Sequence, residues 1–174
     1  MANPDRAYGF KPWGPLLAVK HLQKDAAAAA FGINDVVLQT TDGGVDVAAA
    51  AGTISNTVGV SLEYSATGTA GRVMLAIDPN QMMQAQDDGA GDTTVLADLG
   101  ETGDSTFTTL NTTTKISKQE LDTSTFDASG VNQFLLLDIL LSDNTDGTKN
   151  ALGDNGDYIV QWAAHRRGSS TVGV

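Results

Sequence analysis

The side chains able to do chemistry are few and far apart. His21 and His165 are the two histidines, and neither has a second ligand at a spacing such as HExxH, so the sequence offers a zinc ion no local grip. The chain has no cysteine, which removes thiol catalysis, thiolate metal ligation and disulfides together. It has no GxSxG elbow for a serine nucleophile, no Walker-type GKS/T loop, and no GxGxxG opening a helix. Asp143-Asn144-Thr145-Asp146-Gly147 and Asp154-Asn155-Gly156-Asp157 do carry oxygen donors at spacings that could face Ca²⁺. The first fails the EF-hand pattern at Thr145 and lacks the closing Glu, so both read as Asp/Asn/Gly turns. Accidental carboxylate pairs abound in so acidic a chain, but two Trp and three Tyr would line a sugar-stacking cleft thinly. Asn111-Thr112-Thr113 fits a glycosylation acceptor and reads as chance, because the opening residues lack the apolar block of a signal peptide. No enzyme, metal or cofactor is expected from these residues.

The elements that must position such side chains follow from composition. With 174 residues, 41% hydrophobic and 18% charged, the chain suits one domain with its own core. Its longest apolar run, Phe134 to Leu141, is broken by Asp138 and falls well short of the ~20 residues of a membrane span. The net charge of −11 is unevenly spread. Residues 1–24 carry +3 and residues 165–174 carry +2, so the intervening body carries −16. Such a body repels phosphate backbones, and nucleic acid is not an expected partner. The basic ends suit an acidic protein surface.

Three of the four prolines and two glycines fall within the first 24 residues, too close for a helix to survive between them. Tyr8, Phe10, Trp13, Leu16 and Leu17 share that stretch, whereas a solvated tail would be poor in aromatics. The stretch therefore reads as an extended arm buried against something, either its own body or another subunit. Asp25 before five alanines looks like a helix cap, but Gly32 ends the segment after about two turns, leaving a helical turn or a plain connector.

From Val36 onward short β-type runs alternate with turns at intervals of roughly ten residues: VVLQT, VDVAAAA, TVGVSLEYS, RVMLAID, QMMQAQ and TTVLADL. Asp42-Gly43 signals a hairpin and Asp78-Pro79-Asn80 a turn. The Thr-rich stretch from Glu101 to Asp122 reads as an exposed excursion, and VNQFLLLDILL as a central strand largely covered on both faces. DYIVQWAAH is the last strand. The expected fold class is all-β: a single small antiparallel β-barrel or sandwich over residues 35–174 with a short C-terminal tail, preceded by an extended arm and connector over residues 1–34.

MANPDRAYGFKPW at the start, AIDPNQMMQAQDDG in the middle and VQWAAHRRGSSTVGV at the end together resemble bacteriophage head decoration (capsid cement) proteins. The order and spacing of the three segments agree along nearly the whole chain. The resemblance implies a structural virion protein, made in the host bacterial cytoplasm, that binds the outer surface of an assembled capsid and stabilises it. The major capsid protein is then the partner, and a homo-oligomer, a trimer at threefold positions, is expected. Arg6, Tyr8, Phe10, Lys11 and Trp13 in the arm, with Arg166 and Arg167 at the end, are the expected partner-binding residues. The alternatives are another minor head or tail protein, or a ligand- or carbohydrate-binding β module. A binding module needs an aromatic-lined cleft on the body, and a cement protein needs aromatics in the arm. Three of the chain's ten aromatics lie within the first 13 residues, which favours the second.

Overall fold

A computed structural model describes residues 3–48, 56–68, 71–90, 96–128, 132–140 and 150–165. Its strands are β1 (Lys11–Pro12), β2 (Val19–Gln23), β3 (Val36–Gln39), β4 (Val45–Val47), β5 (Thr57–Ser61) and β6 (Arg72–Ala76), followed by β7 (Met82–Gln86), β8 (Thr102–Ser105), β9 (Leu121–Asp127), β10 (Phe134–Ile139) and β11 (Asp157–Trp162). They form two antiparallel sheets, one of six strands in the order β1-β7-β11-β10-β8-β9 and one of five in the order β2-β6-β5-β3-β4. The sheets do not close, so the fold is an all-β sandwich rather than a barrel. Among the described residues no helix is long and apolar enough to cross a membrane.

One core joins the sheets and a second covers the outer face of the smaller one. Val36 and Val60 meet Met83, Phe134, Leu136, Tyr158, Val160 and Trp162 in the first. Val37, Val58, Val73 and Leu75 form the second with Ala28 and Phe31 of the connector. Val58 and Val60 serve opposite cores, although residues two apart in a regular strand share a face. A register shift opposite Val37 and Leu38 accounts for this, because the extra residue re-phases β5. Gly59 at that shift is required by contact: a Cβ there would lie 2.2 Å from the Ala76 carbonyl oxygen.

The Asp42-Gly43 hairpin joins β3 to β4, with Gly43 at φ +92° and Asp42 accepting from the Thr40 hydroxyl and the Gly44 N–H. The Asp78-Pro79-Asn80 turn forms as expected, with the Asn80 N–H donating to Asp78 Oδ1 at 2.8 Å. Rather than closing a hairpin, it carries the chain from β6 in one sheet to β7 in the other.

Residues 25–31 form a turn and connector, as expected, in which Asp25 Oδ1 accepts from the Ala27 N–H. Three expectations change. The TTVLADL strand is absent where described, since Leu96–Asp98 is a 3-10 turn. β10 is interior as expected, but only Phe134, Leu136 and Leu140 are buried, while Leu135, Leu137 and Ile139 are half-buried and a bulge follows Leu136. The Thr-rich excursion, finally, begins with strand β8, and all four of its residues are buried.

The burial of β8 is polar. Ser105 Oγ donates to Gln133 Oε1 at 2.9 Å, the Gln133 N–H donates to Asp104 Oδ1 at 3.1 Å, and the Asp104 N–H donates to Thr125 Oγ1 at 2.8 Å. Gly103 leaves room for the Phe126 ring, 2.4 Å from where a Cβ would stand. Hydrogen bonding within the sheet satisfies groups that apolar packing could not accept.

Candidate functional site

The arm is built into the sandwich by its own backbone and by three amide side chains. Asn3 donates to the carbonyls of Ala151 and Asp154 at 3.0 and 3.1 Å and accepts from the Ala151 N–H. Gln86 donates to the Pro4 carbonyl and accepts from the Arg6 N–H. Asn34 donates to the Tyr8 carbonyl at 3.0 Å, and its own carbonyl accepts from the Phe10 N–H at 2.9 Å. Gly9 passes so close to Ser117, at φ +75°, that a Cβ would lie 2.4 Å from the serine Cβ.

Arg6, Tyr8 and Phe10 therefore point inward. The Arg6 guanidinium sits 3.2 Å from Asp157 Oδ2, and the Tyr8 hydroxyl donates to Asp157 Oδ1 at 2.7 Å. Burial, followed by the Asp157 charge, pushes the Tyr8 phenol far above its usual range. Phe10 is 0% exposed, with its ring stacked on Phe134 at 4.2 Å, and Phe134 stacks on Trp162 at 4.8 Å. The expectation that these three residues reach a partner gives way to cis packing: Phe10 completes its own domain's core, and the half-buried Arg6 and Tyr8 bind Asp157. Extended pairing explains why, since Lys11 and Pro12 register with Gln84 and Met83 of β7 and leave Phe10 over the sheet interior.

Beyond Pro12 the direction reverses. Trp13 (41% exposed), Leu16 (48%), Leu17 (52%) and Val19 (44%) face outward beside Met82 (40%). They include most of the large apolar side chains exposed among the described residues. The segment bridges two sheet edges, β1 of the six-stranded sheet and β2 of the five-stranded one. A buried glutamine holds it there. Gln81 Nε2 donates to the Trp13 and Met82 carbonyls at 3.1 and 2.9 Å, and its Oε1 accepts from the Leu17 N–H at 3.1 Å. The Trp13 N–H donates to the Met82 carbonyl at 2.8 Å. An apolar strip is thus fixed at its backbone while its side chains stay in water.

Lys11 and Lys20 flank the strip and are exposed. Lys24 is not available to a partner: it is 2% exposed, donates to Ser65 and to the Ala66 carbonyl, and lies 5.2 Å over the Phe31 ring. Burial lowers its pKa. Arg166 and Arg167 lie outside the described residues. Reasoning from sequence missed Leu16, Leu17, Val19 and Met82 as surface, and it missed Gln81 altogether. Alternation in Phe10-Lys11-Pro12-Trp13 was the signal that Phe10 and Trp13 face opposite ways.

The other candidate chemistry resolves into structure. His21 is exposed on β2, and His165 is 6% exposed with its ring 5.5 Å from that of Trp162. Asp143 to Gly147 lie outside the described residues. In the second acidic loop, the Asp157 carboxylate is occupied by Arg6 and Tyr8. A further group of carboxylates gathers where β7 ends and β9 begins. Burial pushes Asp87 up to about 7, against the hydrogen bonds it accepts from Gly89 and Thr123. Glu120 is also pushed up to about 7, by burial and then by the charges of Asp5, Asp88 and Asp87. Among the described residues no group of three or more His, Cys, Asp or Glu has the geometry to hold a metal ion.

In comparisons with known proteins, no family model and no curated protein matches the chain.

Proposed function

We propose that this chain is a structural virion protein that binds the outer surface of an assembled phage capsid and stabilises it. The observation that carries the reading is the strip of Trp13, Leu16, Leu17 and Val19, held in place by Gln81. A protein with no partner gains nothing from fixing such residues in water, and contiguous exposed apolar surface marks interaction sites. Exposed Lys11 and Lys20 supply a basic rim on an otherwise acidic molecule, which suits an acidic partner surface. The resemblance of the three sequence segments to capsid decoration proteins names that partner as the major capsid protein. On the same ground the chain acts as a homotrimer at threefold positions of the lattice, where repetition multiplies weak contacts.

The test is co-sedimentation with purified heads assembled without this protein. The full chain should pellet with the heads, and Leu16→Asp/Leu17→Asp, which changes two side chains that are about half exposed, should stay in the supernatant while still folding, with a cooperative melt only a few degrees below the parent. Equal pelleting of the two proteins, or no pelleting of either, overturns the reading.

A further inference from the structure

A cleft of about 460 Å³ opens on the side of the sandwich where the connector meets β4. Both of its walls hang on the connector. On one side the Phe31 N–H donates to the Ser65 carbonyl at 2.8 Å and the Ser65 N–H donates back at 3.0 Å, which fixes the loop carrying Tyr64. On the other side the Ile33 N–H donates to the Lys115 carbonyl at 2.9 Å and the Ser117 N–H to the Ile33 carbonyl at 2.8 Å, which fixes the loop carrying Phe107 and Leu110. That second loop is shaped by Asn111, whose Oδ1 accepts from the Thr113 and Thr114 N–H groups, and by Lys115 at φ +62°. The cleft is thus bounded by hydrogen-bonded turns, and its size is within the ~300–1,000 Å³ usual for ligand pockets.

We infer that this cleft binds a neutral saccharide. The charges around it are of both signs. Asp35 and Asp46 repel an anion. Lys115 repels a cation, and its Nζ sits 4.9 Å from the centroid of the Tyr64 ring. A neutral polyhydroxylated ligand has no such conflict. Its hydroxyls can donate to Asp46 and accept from Lys115, and the exposed hydroxyls of Thr109 and Thr112 can do both. Its C–H faces need an apolar surface, which the half-buried Phe107 and Leu110 and the 39%-exposed Tyr64 supply. The aromatic-lined cleft that distinguishes a carbohydrate module is therefore on the body, far in sequence from the Trp13 strip and independent of the capsid reading.

The experiment is saturation-transfer NMR and calorimetry on the full chain with a panel of neutral oligosaccharides: maltotriose, cellotriose, mannotriose, lactose and N-acetylglucosamine trimer. An oligoglucuronate and a glucosamine trimer serve as the anionic and cationic arms. At least one neutral sugar should bind in the millimolar range or tighter, and more tightly than either charged one. Tyr64→Ala should weaken that binding about tenfold, as expected for losing one ring contact. Ala29→Trp, placed at an exposed position on the rim, should abolish it by filling the cleft, while Leu17→Ala should leave it unchanged. Absence of binding by every neutral sugar, stronger binding of a charged one, or binding that survives both Tyr64→Ala and Ala29→Trp overturns the inference.

Discussion

Phe10→Ala separates an arm that completes the domain from one that merely leans on it. The ring is 0% exposed and stacks on Phe134 at 4.2 Å, in a column that continues to Trp162. Truncating a buried phenylalanine costs about 3–5 kcal/mol, and the lost ring pair is part of that cost. Leu17, only seven residues on, is 52% exposed, so Leu17→Ala forfeits about half of a leucine's burial, roughly 1 kcal/mol. In a domain of this size each kcal/mol moves the melting temperature by about 2–4 °C, so Phe10→Ala should melt roughly 6–20 °C below the parent and Leu17→Ala only a few degrees below. Urea titration followed by tryptophan fluorescence gives the same comparison at constant temperature, with the m-value checking that both variants start from the same native state. Deleting residues 1–14 should destabilise the domain at least as much as Phe10→Ala, because it also removes Asn3, Arg6, Tyr8 and β1. If Phe10→Ala and Leu17→Ala melt together, or the truncated chain melts with the parent, the arm is not part of the core and the cis packing is wrong.

The raised carboxylates make stability depend on pH in an unusual direction. Asp87 and Glu120 near 7 and Asp35 near 6 hold protons in the folded state that the unfolded chain releases near 4, so the stability these groups contribute is fully present below about pH 4 and is lost as pH rises through 7. Asp87→Asn should stabilise the fold at pH 8, by at most about 4 kcal/mol for the rise from 3.8 to about 7, and flatten the profile between pH 5 and 8; a profile that rises with pH in both proteins refutes this. Gly59→Ala should destabilise by about 3 kcal/mol, the upper range of overpacking, because the new Cβ would meet the Ala76 carbonyl rather than a side chain that can move. Gly43→Ala, where a Cβ meets nothing and only φ is unfavourable, should cost about 1 kcal/mol in the same urea titration; equal losses would mean that dihedral strain, not contact, governs Gly59.

What could be read from sequence was whatever burial by apolar packing had written there. β3, β5, β6, β10 and β11 carry runs of Val, Ile, Leu and Met, and Asp42-Gly43 and Asp78-Pro79-Asn80 carry their turn chemistry in their own residue types. β8 was illegible for the opposite reason. Asp104 and Ser105 hydrogen-bond to Thr125 and Gln133, and Thr102 to Asp127 and Asn132, all more than twenty residues away, and no local pattern records such partners. The arm lies between these cases. Its aromatics announced burial, but where each one goes depends on the register of β1 against β7, which puts Phe10 inside and leaves Trp13 outside.

The two candidate surfaces differ in the same way, and that difference bears on how they work. The Trp13 strip is contiguous in sequence, so its apolar character was visible, but its exposure comes from Gln81, a polar residue in an unremarked position. The cleft joins Tyr64 to Phe107 across 43 residues through the backbone bridges of Phe31 and Ile33, and neither aromatic has a neighbour in sequence that hints at the other. In both places most of the recognition side chains stand on loops held by backbone hydrogen bonds to the connector or to a buried amide. Either surface can therefore be altered at exposed positions at small cost to the fold: Leu16→Asp/Leu17→Asp should abolish one interaction and Tyr64→Ala should weaken the other, each in a protein that still folds.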